Sequence, residues 1–189
     1  DVSDDEARGS DSIFKPGAAQ DDASPYYIQN INHFHQLDGF DMLIARILRE
    51  PRLNLTGVKM LLRPFLKVKH LLKRSVLQGY GRRVHDALME HVSVLTDEQL
   101  KLEDRKTMTD IHKQLDAIVH SAKLPDATKA LDQFHLALAL RCLKTPYLEK
   151  RLCGLNDVKE MINISLRKQE YLEGLQRQER SRKNPATAD

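Results

Sequence analysis

Thiols, imidazoles and a long run of cations are the side chains of this chain whose chemistry could reach beyond packing. Cys142 and Cys153 stand eleven residues apart in sequence of helical composition, a spacing that suits neither a disulfide framework nor a Cys-x-x-Cys metal or redox site. They read as buried free thiols in a reducing compartment. His33 and His35 are two apart, which on a helix points them about 200° away from each other. His112 and His120 are eight apart, too far to chelate one ion unaided. His135 and Cys142 share a helix face two turns apart, a rise of about 10 Å, whereas a nucleophile and its base must come within about 3 Å. Gly79-Tyr80-Gly81 lacks the preceding strand and the length of a phosphate-cradling loop. No Gly-x-Ser-x-Gly, His-Glu-x-x-His or Walker-type run occurs. The expected inventory is therefore no catalytic residue, no metal site and no cofactor.

The strongest charge feature is cationic. Lys59, Arg63, Lys67, Lys69, Lys73, Arg74, Arg82 and Arg83 follow one another with no acid from Leu53 to His85. Such a patch could hold phosphate, an acidic peptide or anionic lipid. The plainer reading, which we prefer, is the solvated face of a helix pair whose acids lie elsewhere in space. The patch contains Tyr80 but no interleaved ladder of the rings on which bases stack. Nucleic acid is not the expected partner; the alternative reading is a free-standing helical module that binds nucleic acid or anionic partners through this Lys59–Arg83 patch.

Composition excludes more than it selects. The 189 residues are 41% apolar and 30% charged, near the globular average and outside the disordered and membrane classes. Eight glycines, seven prolines and no tryptophan, set against abundant Leu, Lys, Glu, Gln and Ala, favour helices over a many-stranded sheet. No apolar run approaches the ~18 residues of a membrane span. The net charge of +3 looks bland but sums an N-terminal segment at −5 and the Lys59–Arg83 segment at +8. The chain starts at Asp1 without a Met or a basic-then-apolar leader, and reads as a piece of a longer intracellular chain. The cytoplasm is its expected compartment, the nucleus a second.

The elements follow from punctuation and periodicity. Residues 1–24 read as an acidic flexible linker, 25–175 as a helical scaffold domain and 176–189 as a charged tail that frays. Ser24-Pro25 is a helix start, Tyr27, Ile28, Ile31 and Phe34 make its stripe, and Leu37-Asp38-Gly39 ends it. Phe40, Leu43, Ile44, Ile47 and Leu48 form a second stripe that stops before Pro51. Asn54 caps a third helix, expected to kink or end near Pro64. Two helices are expected to meet near Gly79-Tyr80-Gly81. Thr96-Asp97-Glu98-Gln99 is a capping box, and the single helix it opens, carrying Leu100, Met108, Ile111, Leu115, Ile118 and Val119, is expected on the outside. After Pro125, Leu131, Phe134, Leu138 and Cys142 fall opposite Leu136, Leu140 and Leu143, so that helix should be covered on two sides. From Thr145-Pro146 a last helix keeps Leu148, Leu152, Leu155, Val158, Ile162 and Leu166 in one stripe. The predicted fold is all-α, stacked antiparallel helix pairs in an armadillo-like α-solenoid segment.

Four stretches carry a resemblance. Ile31-Asn32-His33-Phe34-His35-Gln36-Leu37-Asp38-Gly39-Phe40, Leu61-Leu62-Arg63-Pro64-Phe65, Leu95-Thr96-Asp97-Glu98-Gln99-Leu100 and Leu152-Cys153-Gly154-Leu155-Asn156-Asp157-Val158-Lys159-Glu160-Met161-Ile162 occur in the order found in the N-terminal helical region of the fat facets family, the very large ubiquitin-specific proteases. The similarity runs from about residue 27 to 166 and is weaker over residues 68–94. The resemblance implies a parent deubiquitinase that removes ubiquitin from lysines by cysteine isopeptidase chemistry, with its Cys-His-Asp/Asn domain far downstream. That family sets its catalytic cysteine in a Gly- and Asn-rich turn at a helix start. Cys142 follows Ala-Leu-Arg and Cys153 follows Arg-Leu, both within helices, so no catalytic residue carries over. What the resemblance leaves to this segment is an armadillo-like scaffold for protein partners or ubiquitinated substrates, with grooves between helix pairs as the contact surface.

Overall fold

The computed structural model describes residues 12–15, 24–50 and 52–183. Among these the fold is all-α, with eight helices: α1 Pro25–Gln36, α2 Gly39–Arg49, α3 Leu55–Val68, α4 Arg74–Val94, α5 Asp97–Leu102, α6 Arg105–Ser121, α7 Ala127–Leu143 and α8 Leu148–Lys183. The sequence punctuation is legible at several ends. Pro25 opens α1, Asp38 turns the chain into α2 with a left-handed φ of 56°, and the Asn54 side chain accepts from the Gly57 N–H at 2.8 Å. The capping box closes on both sides, the Thr96 hydroxyl accepting from the Gln99 N–H at 3.2 Å and the Gln99 side chain from the Thr96 N–H at 2.8 Å.

Helices pack on near neighbours in sequence: α1 on α2, α2 on α3 and α4, α3 on α6, α4 on α6 and α7, α6 on α7, and α7 on α8. At the α1–α4 end the contact is aromatic. Phe40 of α2, Phe65 of α3 and Tyr80 of α4 stand 5.1–5.8 Å apart centre to centre. All three are buried, and Phe34 of α1 meets Phe40 edge-on at 5.0 Å. Three polar clasps tie the ends of helices together. Buried Glu103 receives the Thr56 N–H and hydroxyl at 3.4 and 3.3 Å, placing its carboxylate at the positive N-terminus of α3. Its main-chain oxygen accepts from buried Lys150 of α8. Arg141 donates to the Leu95 carbonyl at 2.8 Å and to Asp97 at 2.9 Å, holding the α4–α5 junction against α7.

Several expectations are corrected. Pro64 lies inside α3, which continues to Val68. The donor that proline removes would have bonded the Met60 carbonyl, and Met60 is exposed, so water can take that oxygen while buried Phe65 and Val68 hold the last turn. Gly79-Tyr80-Gly81 does not divide α4, which runs unbroken from Arg74 to Val94. Burial of Leu77, Tyr80 and Val84 on one face outweighs the ~1 kcal/mol propensity cost of each glycine, and the chain breaks instead at residues 69–73. The capping-box helix ends at Leu102, where Glu103 is extended and Asp104 caps a new helix, α6, through the Thr107 N–H at 2.6 Å. Nor is α6 an outer helix: Met108, Ile111, Leu115, Ile118 and Val119 are all buried against three neighbours.

The two-sided cover expected of α7 is incomplete. Leu131, Phe134, Leu138 and Cys142 are buried, but Leu136 and Leu140 are 41% and 44% exposed. On α8 the predicted stripe faces outward, with Leu148, Leu152, Leu155, Ile162 and Leu166 each 51–63% exposed. The face that packs on α7 is instead the one bearing Lys150, Gly154, Asp157 and Met161. Gly154 explains the choice, because a Cβ there would lie 2.5 Å from the Ala139 carbonyl oxygen. The tail expected to fray over 176–189 is helical as far as Lys183, supported by good helix formers and by Gln169–Glu173 and Glu173–Arg177 pairs one turn apart. Within residues 1–24, only residues 12–15 and 24 are described, and Ile13 and Phe14 are buried; the rest of the expected linker lies outside the described residues.

Candidate functional site

The eight cations expected as a patch are distributed over several neighbours. Lys59 of α3 pairs with Asp110 of α6 at 2.5 Å, which holds the Asp110 carboxyl below its usual range. Arg74 reaches the Lys123 carbonyl after α6 at 3.4 Å. Arg83 pairs with Asp41 of α2 and lies 5.2 Å over the Tyr80 ring. Arg63, Lys67 and Arg82 are exposed, Lys69 and Lys73 half-buried. Three of the eight charges thus serve internal contacts that point at three different elements.

Of the two thiols expected to be buried, Cys142 is, whereas Cys153 is only half-buried. Cys142 is 1% exposed, burial pushes its pKa up to about 11, and its Sγ lies 3.9 Å from the Met108 sulfur. A thiol so held has almost no thiolate at neutral pH. Tyr80 is likewise pushed up to about 12, by burial first and then by the nearby Asp41 charge, and its hydroxyl lies 2.6 Å from His35 Nδ1. No group of three or more His, Cys, Asp or Glu side chains that could hold a metal ion occurs among the described residues. None of their helices is long and apolar enough to cross a membrane.

What helix packing assembles, and spacing along the chain does not reveal, is a groove of about 610 Å³ where α6, α7 and α8 converge. His112 of α6 and His135 of α7 face each other there at 5.0 Å between ring centres. Asp157 of α8 lies 3.9 Å from His135 and 3.5 Å from Arg105, and Met108, Leu131, Phe134 and Met161 supply apolar walls. His112 follows buried Ile111 and His135 follows buried Phe134, so each imidazole sits at the edge of an apolar stripe. That edge position was the available signal; the register between α6 and α7 was not. His112, His135, Asp157 and Arg105, over a floor that is largely apolar, make a surface for hydrogen-bonded contact.

The imidazoles have a measurable consequence. His112 titrates below the ordinary imidazole value because it is buried and, next, because His135 is close; Asp116, Asp132 and Asp157 oppose the shift only in part. Buried His91 is also lowered, chiefly by burial, with the Ile47 and Leu53 carbonyls pulling the other way. Below the unfolded imidazole pKa of about 6.5 the unfolded chain therefore takes up protons that the fold refuses. Stability should be complete above about pH 7 and decline as pH falls through 6.5 toward the lowered folded values. Melting followed by circular dichroism should give a lower midpoint at about pH 5.5 than at about pH 7.5, and His112→Gln should remove part of that slope. A midpoint independent of pH over this range would contradict the assignment.

No protein-family profile matches the chain, and no solved structure does. Curated proteins do. Over 146 residues, 73% of this chain, it is 25% identical to ubiquitin carboxyl-terminal hydrolase 9Y of Mus musculus. The Homo sapiens protein of the same name is 25% identical over 159 residues, 81% of this chain. The probable ubiquitin carboxyl-terminal hydrolase FAF of Drosophila melanogaster is 23% identical over 185 aligned positions, 79% of this chain. In each case the match spans only 6–7% of the relative's own length. Across 73–81% of its residues, then, this chain is similar to a short stretch of the fat facets group of ubiquitin carboxyl-terminal hydrolases.

Proposed function

We propose that the chain is a non-catalytic helical scaffold segment of a large ubiquitin carboxyl-terminal hydrolase. In this reading it is part of an armadillo-like stack of helix pairs that positions protein partners or ubiquitinated substrates for a cysteine isopeptidase domain elsewhere in the same polypeptide, in the cytoplasm or nucleus. The observation that carries it is the alignment: most of this chain corresponds to a small part of proteins named for removing ubiquitin.

The α8 stripe supports the stacking half of the reading. Leu148, Leu152, Leu155, Ile162 and Leu166 keep helical spacing over five turns while more than half exposed, and a contiguous apolar strip of that kind marks a contact surface. Helix α8, 36 residues long, also outruns the 17-residue α7 beneath it, roughly 54 Å against 25 Å at 1.5 Å per residue. Both features suit a helix that continues a stack.

The non-catalytic half is supported by the buried Cys142 thiol and by Cys153 lying inside α8, in its second turn, and not in a Gly- and Asn-rich turn at a helix start. Incubating the chain with diubiquitin and with a ubiquitin-based covalent probe should give neither cleavage nor labelling. Cleavage above buffer, or a probe adduct lost in Cys153→Ser, would contradict the proposal.

A further inference from the structure

In a fold of helices, one contact is strand-like. Residues Ser12–Lys15 run along the connection between α3 and α4, bent at Ile13 and with Phe14 and Leu72 in an antiparallel bridge. The Lys15 N–H donates to the Leu71 carbonyl at 2.8 Å, and the Lys73 N–H to the Ile13 carbonyl at 2.7 Å. The Ser12 hydroxyl oxygen accepts from the Phe14 N–H at 3.3 Å and holds the bend of the segment. Ile13 and Phe14 are 6% and 9% exposed. Both join the same apolar cluster as Leu71, Leu72 and Ile31, and Phe14 also walls a cleft of about 580 Å³ shared with Pro25 and Ile28 of α1.

The receiving surface has the features of a peptide-recognition edge. The α3–α4 connection turns a main-chain carbonyl and N–H outward at Leu71 and Lys73, groups that no helix uses, and an extended chain satisfies both. The segment bends at Ile13, and the adjacent Ile13 and Phe14 are both buried. The slot therefore takes up an adjacent β-branched and aromatic pair. The occupant is short and is held by two main-chain bonds and two side chains.

We propose that the α3–α4 connection and α1 form a docking slot for an extended peptide carrying adjacent β-branched and aromatic residues, and that Ser12–Lys15 is its tethered occupant, exchangeable for a partner segment of the same chemistry. Tethering gives a segment this close an effective concentration on the order of millimolar, so a slot of modest intrinsic affinity stays filled in cis.

The test uses the full 189-residue chain and a fluorescent peptide with the sequence of residues 9–18. Titrated by anisotropy, the peptide should bind the Ile13→Ser, Phe14→Ser double variant, and bind the unsubstituted chain at least ~10-fold more weakly because the tethered copy competes. A peptide with the same two serines should bind neither. Equal binding to both chains, or no binding to a double variant that retains a cooperative helical melt, would overturn the proposal. Should the double variant not fold, hydrogen exchange on the unsubstituted chain decides. The Lys15 and Lys73 amides should exchange through local opening, at least ~100-fold faster than those of Ile111 and Leu115 in the middle of α6. Exchange of all four at one common rate would make the segment a fixed part of the core and overturn the proposal as well.

Discussion

Alanine at Phe65 is expected to destabilise the fold by about 3–5 kcal/mol, the usual cost of truncating a fully buried phenylalanine. Phe65 has no exposed surface and packs at 5.3 Å on Phe40 and 5.8 Å on Tyr80. Its removal opens a hole bordered by rings from two other helices, neither of which can move in without losing its remaining contacts. Phe40 is held by Phe34 on its far side, and Tyr80 by the contacts of its hydroxyl with His35 and of its ring with Arg83. For a chain of this size each kcal/mol shifts the melting midpoint by about 2–4 °C, so a fall of about 6–20 °C is expected in a thermal melt. Phe65→Leu should cost far less, since it keeps most of the volume. A melt for Phe65→Ala within a degree or two of the unsubstituted chain would show that the three rings do not form the joint described.

Leucine in place of Gly154 should also destabilise the fold, by less than Phe65→Ala, and the sign of its effect is informative. If α8 stood alone, replacing a mid-helix glycine by leucine would stabilise it by about 1 kcal/mol. In the bundle, the first added carbon lies 2.5 Å from the Ala139 carbonyl oxygen and 3.0 Å from Cys142 Cβ. The first of these is backbone and cannot rotate away. Overpacking of this kind costs about 1–3 kcal/mol or more, enough to reverse the propensity gain and lift α8 from α7. The readout beyond stability is Cys142, buried beside Gly154. In a Cys153→Ser background its thiol should react with an aromatic disulfide reagent at least ~10-fold faster when Gly154→Leu is added, as burial no longer suppresses the thiolate. A higher melting midpoint with Cys142 still protected would mean that α8 does not depend on this close approach.

Local signals were read from the sequence more faithfully than competitions between them. Ser24-Pro25, Asp38-Gly39, Asn54 and the Thr96 capping box act through atoms within four residues, and all mark helix ends in the structure. Pro64 and Gly79-Tyr80-Gly81 are equally local, but burial of Phe65 in one case and Tyr80 in the other overrides them, and that burial depends on helices distant in sequence. The α8 stripe shows a different limit. Periodicity identified an apolar face but not its neighbour, and the face that packs on α7 was disguised by Lys150, Gly154 and Asp157, a glycine between two charges. The site shows the same limit: His112, His135 and Asp157 belong to three helices, so only their packing brings them to one groove. The docked Ile13-Phe14 pair was hidden by its acidic surroundings, because two apolar residues in a segment of seven acids leave composition looking disordered.

The claim that this chain is a scaffold segment of a deubiquitinase is tested most directly by sequencing the full-length transcript that encodes it. The expected result is an open reading frame that runs on beyond Asp189 through further helical sequence into a ubiquitin-specific protease domain, with its cysteine in a Gly- and Asn-rich turn at a helix start. A stop codon within a few tens of residues of Asp189, with no protease domain on either side, would refute the claim.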